Sequence, residues 1–347
     1  MRATLKDVAE AAGVSPMAVS VVLNGTGGQK VTVSPDKAKL IRQAALELRY
    51  RPNHLAQSLR SQRTNQVAVV FQHFSDIGPQ NPYHIQLLGG VTSALFKRGY
   101  AMTLCPKMIV DGDYASFSDG RFDGILWCRP DFNDVSLEAI RQSHIPIVMM
   151  HVPPGTVPGV PTFCADNEGA MRRVVEYLKS LGHEKIAFVI DPVSIRSVEG
   201  QARSQAFISS MARAELPTPD IVVFEQDHSV LLRYAEPNAP HTALVCFSDE
   251  LAGFVLKSCK AYGVEVPKHV SVVGFDSSPF CDNTQPPLTS VNQPVRQIAE
   301  AATNHLLSLV EQTDSAANPL PLISLYDCSL DVRESTGPPP GSQDSDA

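Results

Sequence analysis

Apolar positions near the N-terminus recur with helical spacing. Leu5, Val8, Ala9 and Ala12 stand at i, i+3, i+4 and i+7, which predicts a short amphipathic helix over residues 4–12 with Thr4 and Asp7 as its capping box. Gly13-Val14 reads as a tight turn. Ser15 then caps a second helix, Pro16 takes its first position, Val19, Val22 and Leu23 form its apolar face, and Asn24-Gly25 ends it. A third helix starts at Ser34-Pro35 and is predicted to bury Ile41, Ala44, Ala45 and Leu48. Between the second and third helices, residues 26–33 read as a glycine-containing surface loop. A further stretch, residues 54–60, is too short to hold as a helix without something packed on it.

From Val67 the period changes. Short continuous apolar runs at 67–71, 101–104, 124–128, 147–150, 186–190, 221–224, 243–247 and 270–275 read as strands. Between most of them lie helical stretches such as 84–98, 167–181, 199–213, 250–262 and 295–311. Unbroken apolar strands alternating with amphipathic helices indicate parallel sheets covered on both faces. The length of 347 residues fits two such α/β lobes with a cleft between them, behind a small all-α head. Trp127, the only tryptophan, falls late in a strand and reads as core, and residues 337–347, rich in Pro, Gly, Ser and Asp, read as a disordered tail.

Charge sharpens this division. The net charge of -7 conceals a head of residues 1–65 at +6 and a remainder at -13, so one segment is suited to a polyanion and the other is not. Seven cysteines form no CxxC pair, and no HExxH, phosphate loop or nucleophile elbow occurs. No catalytic residue, metal site or cofactor is therefore assigned. No apolar run is long enough to span a membrane and no signal peptide is apparent, so a cytoplasmic chain is expected.

Helix, glycine turn and helix on a basic segment is the helix-turn-helix layout, whose second helix enters the major groove. The motifs Thr4-Leu5-Lys6-Asp7-Val8-Ala9, Ala12-Gly13-Val14-Ser15, Val22-Leu23-Asn24-Gly25, Tyr50-Arg51-Pro52-Asn53 and Ala56-Gln57-Ser58-Leu59 closely resemble the lactose-repressor/galactose-repressor (LacI/GalR) family of transcription regulators. The resemblance continues through Asn81-Pro82-Tyr83, Asp123-Gly124-Ile125, Asp166-Asn167, Gly182-His183, Arg203 with Phe207, Ser248-Asp249, Val273-Gly274-Phe275-Asp276, Gln293-Pro294 and Arg333-Glu334-Ser335-Thr336, in the family's order.

The resemblance implies a helix-turn-helix domain over residues 1–51, a hinge helix and linker over 52–65, and a periplasmic-binding-protein-like core of two doubly wound parallel-sheet lobes over 66–336. Because the chain crosses between such lobes three times, lobe one is expected to hold about 66–160 and 292–321, and lobe two about 163–290 and 322–336. It also implies a homodimer on a pseudo-palindromic double-stranded DNA operator. DNA contacts are expected at Thr4, Ser15, Pro16, Met17, Ser20, Val21, Asn24, Asn53, His54, Gln57 and Leu59, with Leu59 the matching residue for a minor-groove wedge. Where many members have Thr-Val-Ser-Arg, this chain has Ala18-Val19-Ser20-Val21. Valine cannot make an arginine's paired hydrogen bonds to guanine but can pack on a thymine methyl.

For the cleft, the resemblance implies a small-molecule effector, a sugar or sugar derivative, held by Tyr83, His84, Asp166, Arg203, Asp249, Asp276 and Gln293. Residues 72–80 make an expanded stretch after the first strand, which bears on how Tyr83 and His84 are presented. Repression with effector-induced release is the expected sign. Two other classes have signatures that this sequence lacks. A solute-binding protein would need a signal peptide and no basic head, and an enzyme on the same scaffold would need a converging nucleophile and base or a metal cluster.

Overall fold

The computed structural model describes residues 3–24, 32–51, 58, 62–71, 82–105, 119–128, 132, 134–224, 231, 234, 236, 238–311 and 322–341. Its internal contacts divide the chain between Thr64 and Asn65. In the first unit, helices α1 (Leu5–Ala11), α2 (Pro16–Asn24) and α3 (Pro35–Glu47) close on a small aliphatic core of Val8, Ala9, Val19, Ile41, Ala44 and Ala45. The capping box forms in both directions: the Asp7 amide donates to Thr4 Oγ1, and the Thr4 amide donates to Asp7 Oδ2 at 2.8 Å. Ser34 caps α3 ahead of Pro35. Leu48, expected in this core, is in register with Ile41 but stands at the C-cap, past the end of α3, and is 38% exposed.

The second unit contains two six-stranded sheets. The first has the order β11 (Ile323–Tyr326), β5 (Thr162–Ala165), β4 (Ile147–Met150), β3 (Gly124–Trp127), β1 (Gln66–Val70), β2 (Ala101–Cys105), all parallel. The second has β12 (Ser329–Asp331), β10 (Thr289–Asn292), β9 (Ser271–Phe275), β8 (Ala243–Cys246), β6 (Ile186–Ile190), β7 (Ile221–Val223), where only the β10–β12 pair is antiparallel. Strand side chains alternate between two apolar layers. Val67 and Val69 of β1 join the cluster beneath α4 (Pro82–Lys97) and α9 (Val295–Glu311), while Ala68 and Val70 join Trp127, Ala139 and Ile140 on the side of α5 (Asp134–Gln142). In the second sheet Ile186, Phe188 and Ile190 pack toward α6 (Asn167–Ser180) and α7 (Val198–Arg213). Ala187 and Val189 pack toward α8 (Asp249–Ala261). This two-sided burial is why the strands read as unbroken apolar runs. Trp127 is fully buried, with Phe132 stacked on it at 5.9 Å.

The sheet topology corrects two expected boundaries. β5 (Thr162–Ala165) and β11 (Ile323–Tyr326), which the family frame placed from 163 and from 322 in lobe two, complete the first sheet; their mutual pairing, Thr162 with Ile323 through Ala165 with Tyr326, makes its outer edge. The crossovers therefore follow Ala165, Asn292 and Tyr326. The tail is corrected as well. Residues 337–341 are held on lobe two: the Gly337 amide donates to Ser271 Oγ at 3.0 Å, and its carbonyl accepts from Ser271 Oγ and from His183 Nε2 at 2.8 Å. Residues 342–347 of the expected tail, the loop at 25–31, the expanded stretch 72–80 and all of the expected hinge helix except Ser58, with Asn53, His54, Gln57 and Leu59, lie outside the described residues.

Helix α4 crosses α9 at Gly90, where an added Cβ would overlap the Arg296 carbonyl oxygen and press on Ala299 Cβ at 2.8 Å. Both obstacles belong to a rigid helix, so the pair must separate to admit a side chain. Gly90→Val is expected to destabilise the core by about 1–3 kcal/mol through overpacking. Urea unfolding followed by circular dichroism checks this.

Candidate functional site

The head presents the start of α2 to solvent. Ser15 Oγ accepts the Ala18 amide at 3.3 Å, and Ser15 and Pro16 are exposed, as is Met17 at 54%. Val21 is half-buried one turn on from Met17. Thr4 is exposed at the start of α1 but its hydroxyl is engaged in the capping box. Ser20, expected to contact DNA, is only 2% exposed: it lies at the margin of the helix face that carries Val19 and Leu23 into the core, rather than on the face that presents Met17. The side chain of Asn24 lies outside the described residues. Lys6, Lys37, Lys39, Arg42, Arg49 and Arg51 are all exposed and carry the positive charge of this unit. Apolar Met17 and Val21 projecting from a cationic domain suit a groove floor flanked by phosphates.

In the second unit the polar side chains gather at the carboxyl ends of strands, where ligands bind in open α/β sheets. Arg203 on α7 is the centre, 5% exposed. Its Nε donates to Asn167 Oδ1 at 3.2 Å, one terminal nitrogen to the Phe247 carbonyl at 2.6 Å, and the other to Glu199 Oε1 at 2.8 Å. The rings of Phe247 and Phe275 lie 4.6 and 3.6 Å from the guanidinium carbon. Asp276 follows β9 with φ at +119°, and its carboxylate accepts from the Gln293 amide. From the other lobe come Tyr83 and His84 at the start of α4, and His151 just after β4. The Tyr83 ring sits edge-on to His84 at 5.0 Å and to His151 at 5.2 Å. Burial, then the charges of Asp276, Cys128 and Glu199, push the Tyr83 hydroxyl well above its usual range. The Tyr83 group and the Arg203 group thus face one cleft from its two sides.

Tyr83, His84, Arg203, Asp276 and Gln293 meet there as the sequence led one to expect, whereas Asp249 does not. Its carboxylate turns beneath β9 and β10, accepting from the Ser278 amide at 2.8 Å, from Ser290 Oγ and from Cys281 Sγ, and is 3% exposed. Its oxygens are thus engaged inside lobe two, under Ser278 two residues on from Asp276. Asp166 acts as the N-cap of α6, accepting the Gly169 amide at 3.0 Å. Glu199, Asn167, Phe247, Phe275 and His151 were missed. Glu199 stands four residues before Arg203 on one helix, a spacing that signals an ion pair. His151 stands in no motif.

Burial pushes both carboxyls of lobe two upward, Asp276 well above its usual range with the Asp249 charge adding to the effect. The His151 imidazole moves the other way, down to about 3, because it is buried and faces Arg203 and His84, with Gln293 opposing the shift. A histidine held neutral in the fold binds fewer protons than in the unfolded chain between pH 6.5 and about 3, so stability is lost as pH falls through that window. The raised carboxyls act in the opposite sense, and in a comparison of variants they cancel. The stability of His151→Gln relative to the parent is therefore expected to rise as pH falls below 6.5, by up to about 1.4 kcal/mol per pH unit. Chemical denaturation at several pH values measures that difference.

Comparisons with known proteins agree with this geometry. The family model for bacterial regulatory proteins of the lacI family matches residues 4–53, and that for a periplasmic binding protein-like domain matches 175–336. The HTH-type transcriptional regulator CelR of Thermobifida fusca is 29% identical over 344 residues, 96% of this chain and 98% of that protein. The HTH-type transcriptional repressor PurR of Vibrio parahaemolyticus is 29% identical over 323 residues, 90% of this chain and 93% of that protein. Among solved structures, the Lac repressor dimer bound to operator and the anti-inducer ONPF superposes with a TM-score of 0.80 at 22% identity, covering 97% of this chain and all of that one. The CelR–cellobiose complex superposes with a TM-score of 0.65 at 27% identity, covering 96% of this chain and all of that one. These relatives are transcription regulators rather than enzymes. Among the described residues no helix is long and apolar enough to cross a membrane, and no cluster of three or more metal-ligating side chains occurs. The chain thus joins a DNA-binding head that matches the lacI family of bacterial regulatory proteins to a core that matches a periplasmic binding protein-like domain, the arrangement of the transcription regulators it resembles along most of its length.

Proposed function

We propose that the chain is a homodimeric transcriptional repressor that binds a pseudo-palindromic operator through its basic head and releases it when a sugar binds between the lobes of the core. The observation that carries the effector half is the convergence of Tyr83, His84 and His151 from one lobe on Arg203, Glu199 and Asp276 from the other, with Gln293 beside a crossover. Carboxylates and an amide suit pairs of sugar hydroxyls, and flat aromatic rings suit a sugar face. A ligand bridging both sides binds the closed arrangement of lobes better than the open one, and only such differential affinity can change DNA binding. The relative whose structure holds cellobiose, and the relatives named as repressors, support both halves of the reading.

Dimerisation has its own support. Ile85, Gly89, Thr92 and Phe96 lie at i, i+4, i+7 and i+11 on α4; Ile85 is 51% and Phe96 66% exposed, and among the described residues nothing outside the helix stands within 4 Å of a Cβ built at Gly89. An apolar stripe with a glycine notch is suited to self-association. Phe96→Asp is expected to shift the protein from dimer to monomer at micromolar concentration, as read by sedimentation velocity.

Selection of bound sequences from a random DNA library tests the operator reading. A pseudo-palindrome is expected, with thymine at the position read by Val21 and relaxed there in Val21→Ala. Recovery of no preferred sequence contradicts it, and a guanine requirement that Val21→Ala leaves intact removes the thymine-methyl contact.

A further inference from the structure

Asp276 leaves β9 with φ at +119° and Ser277 follows at +44°, two successive non-glycine residues in a backbone conformation that only their surroundings can maintain. Three consecutive amides anchor the turn. Asp276 donates to the Val291 carbonyl at 2.8 Å, Ser277 to Ser290 Oγ at 3.0 Å and Ser278 to Asp249 Oδ2 at 2.8 Å. A fourth hold comes from β12, where Asp331 Oδ2 accepts from Ser277 Oγ at 2.6 Å and from Asn292 Nδ2 at 2.9 Å. Ser277 is the residue after Asp276, Asn292 is the residue before Gln293, and the Gln293 amide donates to the Asp276 carboxylate. One carboxylate oxygen therefore ties together the neighbours of two cleft residues that meet.

Asp331 also stands where two crossovers meet. It pairs with Ser290 across the antiparallel β10–β12 ladder; the second crossover leaves that ladder after Asn292, and the third enters it at Ser329. Arg333, two residues on, brings both terminal nitrogens to Ser277 Oγ at 3.3 Å and donates to the Leu288 carbonyl at 2.9 Å. With Arg333 donating to that oxygen, the Ser277 hydroxyl hydrogen is left for Asp331. An apolar side chain at 331 would take the acceptor away from half-buried Ser277 and Asn292. An asparagine would keep it, because a single amide oxygen has lone pairs for both donors.

We propose that Asp331 is a positioning residue for the cleft: acting through Ser277 and Asn292, it holds Asp276 and Gln293 at one spacing and joins the second and third crossovers to that pair. The inference rests on the reading of the cleft as an effector site. It goes beyond that reading in naming a residue, two positions ahead of the Arg333-Glu334-Ser335-Thr336 motif, that sets the geometry of the site through its neighbours.

Hydrogen–deuterium exchange of the full chain tests the hold without any ligand. In Asp331→Leu the amides of residues 276–278 are expected to exchange about 10-fold faster or more than in the parent, with β9 and β12 still protected, and in Asp331→Asn to exchange as in the parent. Ser277→Ala leaves β12 intact and should open the same turn, so the test stands even where Asp331→Leu does not fold. Unchanged protection of the turn, acceleration confined to residues 329–331, or equal acceleration in Asp331→Asn overturns the proposal. Calorimetric titration with a panel of neutral, acidic and phosphorylated mono- and disaccharides reads the consequence for binding. The sugar that the parent binds best is expected to bind Asp331→Leu about 10-fold more weakly and Asp331→Asn nearly as well as the parent. Equal affinity in all three overturns the role of Asp331 and leaves the effector cleft standing. A panel without a binder overturns the effector reading, and the exchange data still decide whether Asp331 holds the turn.

Discussion

Arg203→Ala is expected to cost the core about 3–5 kcal/mol of stability, the range for removing one partner of a buried ion pair, and to abolish any response to ligand. The guanidinium satisfies three acceptors on three segments: Asn167 at the start of α6, Glu199 one turn before it on α7, and the carbonyl of Phe247 after β8. Alanine leaves the Glu199 carboxylate, 8% exposed, beside Asp276 with no counter-charge, and leaves two neutral acceptors unpaired. It also removes the cation that Phe247 and Phe275 cover. Arg203→Lys should fall between, since an ammonium is a point charge that cannot serve three acceptors in a plane. Urea unfolding read through buried Trp127 and by circular dichroism measures the stability loss, and calorimetry measures the loss of ligand binding.

The second large effect lies in the head. A regulator that neutralises some 6–10 phosphates is expected to lose about 10³–10⁵ in DNA affinity between 50 and 200 mM salt. The exposed cations Lys6, Lys37, Lys39, Arg42, Arg49 and Arg51 are the side chains expected to supply that charge. Removing residues 1–62 should abolish DNA binding altogether while the core keeps its fold, since the contacts of the chain divide at Thr64. Arg42→Ala should flatten the salt dependence if this exposed side chain meets a phosphate, whereas Met17→Ala should alter sequence preference with little change in slope. Fluorescence anisotropy across a salt series separates the two.

Much of the fold was legible because parallel strands buried on both faces and helices with one apolar face leave plain periodicities, as in 186–190 and 167–181. Four strands went unread: β5 is buried but is only the short run Thr-Phe-Cys-Ala, and the other three lack a continuous apolar run. β10 is Thr-Ser-Val-Asn and β12 is three residues long; β11 exposes Ile323 and Leu325 at the sheet's edge. Their identity as strands comes from the partners they meet, β10 between β9 and β12, and β11 against β5 from far earlier in the chain, which also decided which lobe the crossover joins. In the candidate site, the residues inside distinctive motifs, Arg203, Asp276 and Gln293, are placed at the cleft. Ser20 and Asp249 were misplaced because a motif does not say which way a side chain turns, and there the helix register and the Ser278–Ser290 pocket decided it. His151 was invisible because its place in the cleft depends on a backbone turn after β4 and on Tyr83 from a distant helix.

The central claim is that a ligand in the Arg203 cleft changes the grip of the head on DNA. The most direct measurement is the affinity of the full-length protein for its selected operator with and without a saturating sugar, in the parent and in Arg203→Lys. The account predicts a weakening of about 5–150-fold on adding sugar, the usual range of allosteric coupling, in the parent and little or none in Arg203→Lys. An operator affinity that stays the same in the parent at a sugar concentration shown by calorimetry to fill the cleft would contradict it.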